Sequence, residues 1–132
     1  MQGDTHVFDV TVYYEDTDMA GIVYHANYLK FIERARSDWV KAQGLDQNAM
    51  REKDGIVFVV RRIEADYLGM AKYDDALEVR TTLRSMTGVR LVMSQEVMRG
   101  ADCVFRAEVT AVCVTTEGAP VRLPAGLRRQ VH

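Results

Sequence analysis

The chain has 132 residues, 48% of them apolar, with 17 basic and 19 acidic side chains and a formal net charge of −2. This size and apolar content fit a single globular domain over residues 1–132 with a core of its own, and exclude an intrinsically disordered chain. The near-neutral balance argues against a general nucleic-acid surface, and no apolar run approaches the roughly 18 residues of a membrane span.

The opening MQGDTHVFDV has neither a basic n-region nor an apolar h-region, so a cytoplasmic location is expected. From His6 to Tyr14, Val7, Asp9 and Thr11 alternate with Phe8, Val10 and Val12, which predicts a strand. The period then changes. Tyr28, Ile32, Ala35 and Trp39 recur at helical spacing, with Lys30, Glu33, Arg34, Ser37 and Lys41 opposite, so an amphipathic helix is expected over Tyr28–Gln43. Asn27 is the expected N-cap and Gly44 the residue just past the C-terminus. A short second helix is expected over Asp46–Lys53, before a turn at Asp54-Gly55.

Four strands follow. Ile56–Leu68 carries an apolar run and then alternates Ile63, Ala65 and Tyr67 with Arg62, Glu64 and Asp66. Leu77–Arg84 and Val89–Val97 alternate around a turn at Thr87-Gly88, and Cys103–Cys113 follows a turn at Gly100-Ala101-Asp102. The tail beyond, with Pro120 and Pro124, has no clear element. Short turns between long alternating runs predict antiparallel hairpins with one buried face, against which the single long helix lies. Long edges left open by such a sheet favour pairing in a dimer.

Cys103 and Cys113 stand ten residues apart along one strand, about 33 Å, whereas a disulfide needs Cα atoms within about 7 Å. Both are expected as small core hydrophobes.

The chemistry points to Tyr13–Tyr28, YYEDTDMAGIVYHANY. Asp18 precedes Gly21 by three residues in the approach to the helix, where unpaired N–H groups and the helix dipole favour negative charge. A carboxylate there either serves the dipole alone or, beside a carbonyl polarised by helix-start N–H groups, attacks it or activates water. Gly21 would allow close approach of a substrate or backbone. His25 offers its ring or, more usefully, its backbone N–H. A metal site from Glu15, Asp16, Asp18 and His25 is disfavoured, because adjacent residues at a strand end point to opposite faces. The basic residues Arg61, Arg62, Lys72, Arg84, Arg90 and Arg99 fall mostly on polar strand faces, where a few could hold substrate phosphates. No G-x-S-x-G elbow or phosphate-binding glycine loop is present.

YYEDTDMAGIVYHANYLKFIERAR closely resembles the signature of hotdog-fold acyl-CoA thioesterases of the 4-hydroxybenzoyl-CoA thioesterase family, in particular its Tol–Pal-associated branch. FVVRRIEADYLGMAKYDDALEV, SMTGVRLVMSQEV and AEVTAVCV extend the resemblance over most of the chain. It implies an α+β hotdog fold, a long central helix wrapped by a five- or six-stranded antiparallel sheet, assembled as a homodimer or homotetramer. It also implies hydrolysis of an acyl-CoA thioester to free acid and CoA without cofactor or metal. Asp18 takes the place of the catalytic aspartate, as nucleophile or general base, and the helix start at His25 that of the carbonyl-polarising group. Gly21, Tyr28, Arg62 and Arg90 are the substrate-binding candidates. The benzoyl-specific branch has basic residues at the turn read here as Met86-Thr87-Gly88-Val89, so those CoA contacts are either missing or supplied by Arg84 or Arg90. Two alternatives are a non-catalytic module binding acyl thioesters or acyl carrier protein, and a hotdog dehydratase working through a His–acid pair.

Overall fold

A computed structural model describes residues 5–124 and Leu127. Five strands, β1 (His6–Thr11), β2 (Ile56–Tyr67), β3 (Ala76–Met86), β4 (Arg90–Arg99) and β5 (Asp102–Thr115), form one antiparallel sheet in the order β1-β3-β4-β5-β2. The helix α1 (Asn27–Ala42) lies on one face of it, and α2 (Gln47–Ala49) follows, continued by a π-helical turn over Met50–Asp54. This is the expected α+β architecture, with five strands.

The packing follows from the two periods. Tyr28, Phe31, Ile32, Ala35, Trp39 and Val40 are buried along one stripe of α1. The N-terminal half of that stripe meets Val10 and Val12 from the β1 side, Val79, Val97, Phe105 and Val109. Its C-terminal half, with Trp39 and Val40, meets Leu83, Leu91, Met93 and Cys113. Each large apolar side chain so buried contributes about 1.5–3 kcal/mol, enough to hold a lone helix on the sheet. Gly44 has φ +86°, the left-handed conformation expected just past a helix end, and α2 starts on Asp46, whose carboxylate accepts from the N–H groups of Asn48 and Ala49 at 3.0 and 3.2 Å.

Three expectations need correction. β1 ends at Thr11, and Tyr14–Asp16 is a turn of 3₁₀ helix. Asn27 is not the N-cap but the first helical residue; Ala26 precedes it and makes no side-chain cap. Cys113 is fully buried, but Cys103 is only half-buried, because a bulge opposite Val97 and Met98 turns Val104 inward and Cys103 aside. Among the described residues the tail after Thr115 forms no helix or strand, as expected; an isolated bridge joins Pro120 to Val114, and Leu123 and Leu127 are buried against the Trp39 cluster. No helix among the described residues is long and apolar enough to cross a membrane.

Candidate active site

Residues 16–24 form a small hairpin between the 3₁₀ turn and α1. The N–H of Tyr24 donates to the carbonyl of Asp16 at 2.9 Å, Thr17 bridges Val23, and the N–H of Asp18 donates to the carbonyl of Ile22 at 2.9 Å. The turn closes on Gly21, whose N–H donates to the carbonyl of Asp18 at 3.0 Å. Gly21 has φ +79°, and a Cβ there would meet no atom within 4 Å. The left-handed backbone conformation of the turn is itself a reason for glycine at this position. The hairpin is docked on the sheet side by the Ile22–Lys72 bridge and by the N–H of Val23 on the carbonyl of Ala71, 2.8 Å.

Asp18 is exposed at this turn, one carboxylate oxygen accepting from the N–H of Ala20 at 2.9 Å. His25 is exposed two residues before α1. The N–H groups of Tyr24 and Asn27 are used by the carbonyls of Asp16 and Tyr24, while those of His25 and Ala26 between them donate to nothing among the described residues. The Tyr67 hydroxyl at the end of β2 donates to the carbonyl of His25 at 3.0 Å, and its ring stands edge-on to the imidazole. An exposed carboxylate on a held turn thus shares one short segment with two free N–H donors at a helix start. That combination can activate water, or attack, and can stabilise an oxyanion.

The other predicted residues are distributed differently. Tyr28 belongs to the core beneath the site: it is 3% exposed, its ring stacks on Phe105, and its oxygen accepts from the N–H of Ala71 at 3.1 Å. Burial raises its pKa, partly offset by that hydrogen bond. Arg62 lies midway along β2, exposed and paired with Glu64 at 3.0 Å. Arg90 begins β4, nine residues or roughly 30 Å from Arg99 at the far end of the strand. Arg99 is the arginine near the hairpin, donating to the carbonyl of Met70 at 2.6 Å and meeting Asp75 at 3.5 Å. Asp16 takes no part in an acidic cluster with Asp18; it is buried, accepting from the N–H of Tyr13 at 2.9 Å and from the side-chain amide of Asn27 at 3.0 Å. Among the described residues no three His, Cys, Asp or Glu side chains converge as metal ligands would.

A cleft of about 210 Å³ opens further along α1, between Glu33, Arg36 and Val40 of the helix and Phe58, Val59 and Val60 of β2. Arg36 donates to the Gln95 side-chain oxygen at 3.0 Å, and its burial lowers its pKa, partly countered by Glu33. Asn27 and Arg36 are nine residues apart, so this cleft lies about 13 Å along the helix from the site in the same protomer.

The central helix on its antiparallel sheet, with a carboxylate-bearing hairpin at the helix start, defines a hotdog-fold protein of the thioesterase type. A model of the thioesterase-like superfamily matches residues 12–131, and the chain belongs to that family. It is 37% identical over 126 residues to the acyl-CoA thioesterase YbgC of Haemophilus influenzae, covering 95% of this chain and 93% of the relative. It is 42% identical over 106 residues to the acyl-CoA thioester hydrolase YbgC of Escherichia coli O6:H1, covering 80% and 78%. The crystal structure of a probable thioesterase from Bartonella henselae superposes with a TM-score of 0.88 at 35% identity, covering 92% of this chain and all of the other. A 4-hydroxybenzoyl CoA thioesterase variant, in complex with 4-hydroxybenzoyl CoA, shares the fold with a TM-score of 0.90 at 22% identity, over 97% and 99%.

Proposed function

We propose that this protein is an acyl-CoA thioester hydrolase in which Asp18 is the nucleophile or general base and the helix start at His25 polarises the thioester carbonyl. The observation that carries the reading is the exposed Asp18 carboxylate on the same segment as the free N–H groups of His25 and Ala26. A thioester needs little more: a carboxylate supplies attack or proton removal, and two N–H donors at the positive end of α1 stabilise the oxyanion. No cofactor enters this chemistry. The relatives named acyl-CoA thioesterase support the substrate class. Within the family, the YHANY segment supports the Tol–Pal-associated branch, and a CoA substrate together with two free cysteines fits a cytoplasmic protein.

The active form in this reading is a homodimer, or a homotetramer of such dimers, of the single domain 1–132. β2 supports it: twelve residues long, it pairs among the described residues only with β5 and leaves Val59, Val60, Ile63 and Tyr67 at least 38% exposed. Antiparallel pairing of two copies about Ile63 would lay Val59 and Val60 of one protomer beside Tyr67 of its partner. The cleft at Arg36 would then adjoin the partner's hairpin and accept the acyl group. Arg62 and Arg90, with Arg84, are candidates for the CoA phosphates, and acyl carrier protein is a second candidate thioester carrier.

The test is thiol release from short, long and aromatic acyl-CoAs. Stoichiometric free CoA and acid are expected. A new carbon–carbon double bond without thiol release would indicate a dehydratase, and tight binding without turnover a binding module.

A further inference from the structure

We propose that Asp16 and Asn27 form a buried clamp that positions Asp18 and the helix-start N–H groups for the reaction; this rests on the assignment of Asp18 above. Asp16 is 6% exposed and Asn27 9%, and no ion pair among the described residues includes Asp16. A buried carboxylate with no cation beside it persists only where hydrogen bonds replace water. Here one oxygen accepts from the Tyr13 N–H upstream and the other from the Asn27 amide, while the carbonyl of the same residue closes the hairpin on Tyr24. One residue thus ties together the 3₁₀ turn, the base of the hairpin bearing Asp18, and the first turn of α1. Asn27 serves as donor to this carboxylate and the position before it is Ala26, so the helix forgoes an ordinary side-chain cap. Departures of this kind from local preference gather at functional sites. Small displacements of reacting groups are costly in rate, so the clamp should act on kcat more than on KM.

An exchange of the two side chains tests it. Asn27→Asp sets two carboxylates against each other. Asp16→Asn in that background restores one amide–carboxylate pair, and the side-chain carbonyl it introduces still accepts from the Tyr13 N–H. Well below the thermal midpoint of each variant, Asn27→Asp is expected to lose about 10–100-fold in kcat with KM within about threefold, and the double variant to recover to within about fivefold of wild type. Asn27→Asp at wild-type kcat, or a folded double variant no better than the single, would overturn the clamp. If Asn27→Asp does not fold, Asn27→Ala takes its place: a folded Asn27→Ala with unchanged kcat overturns the proposal, and a tenfold loss supports it. Asp18→Asn, assayed alongside, separates the two ideas. Its inactivity beside fully active clamp variants rejects the clamp alone, whereas its activity rejects the assignment of Asp18.

Discussion

The hydroxyl of Tyr67 donates to the carbonyl of His25 at 3.0 Å, joining the end of the edge strand β2 to the last residues before α1 across 42 positions of sequence. This bond holds the peptide between His25 and Ala26, and with it the direction in which the Ala26 N–H points. Tyr67→Phe is expected to remove that restraint while keeping the ring against Tyr28 and Phe105. Because Tyr67 is half exposed, the stability cost should stay near 1 kcal/mol or below. Steady-state kinetics should show kcat reduced about three- to tenfold with a nearly unchanged thermal midpoint.

Gln95 should behave in the opposite way. It is fully buried and donates to the carbonyl of Ile32 and to Thr81 Oγ1, both at 2.9 Å, while accepting from Arg36. Gln95→Leu keeps the volume but strands the Arg36 guanidinium and the Thr81 hydroxyl. A loss of about 2–4 kcal/mol in urea unfolding is expected, with residual activity tracking the folded fraction.

Much of this fold is legible in the chain. Period-two alternation locates the four strands after Gly55 within a few residues, and the stripe from Tyr28 to Trp39 locates the helix. Burial along a single element sets the pattern in the helix and in β3, β4 and β5, whereas residues 62–67 of β2 alternate in sequence but are exposed on both faces. The features that escape depend on contacts between elements. Asp16 reads as a strand-end acid; contacts with the Tyr13 N–H and the Asn27 amide make it a buried acceptor, while Asp18 stays in solvent. The inward orientation of Tyr28 agrees with its place on the apolar stripe, but its stacking on Phe105 is a contact between elements. Leu123 and Leu127 lie in a segment without periodicity, so nothing local announces their burial.

Stability should fall in alkali. Burial raises the thiols of Cys103 and Cys113 and the phenol of Tyr28 above their ordinary values. The unfolded chain then loses these protons at lower pH than the folded one, so the stabilising contribution is complete below about pH 9 and declines as pH rises toward the folded values. Thermal midpoints measured from about pH 8 to 10.5 should decrease, and less steeply in Cys113→Ala. Alkylation at neutral pH should be slow, with half-buried Cys103 reacting before Cys113.

The edge of β2 bears on assembly. Ile63→Lys places like charges against each other wherever two such strands pair about this residue. Light scattering should report a shift toward the monomer mass, and thioesterase activity should fall at least tenfold if the cleft serves the partner's hairpin. A stable oligomer of unchanged activity would move the interface elsewhere.

The central claim is that the Asp18 carboxylate performs the chemistry. Asp18→Asn preserves size and the acceptor for the Ala20 N–H, so its fold and thermal midpoint should match wild type. The decisive measurement is kcat/KM for CoA release by this variant on the best wild-type substrate. A fall of at least about 10³-fold, near 4 kcal/mol in transition-state stabilisation, is predicted. Turnover within tenfold of wild type would contradict the assignment.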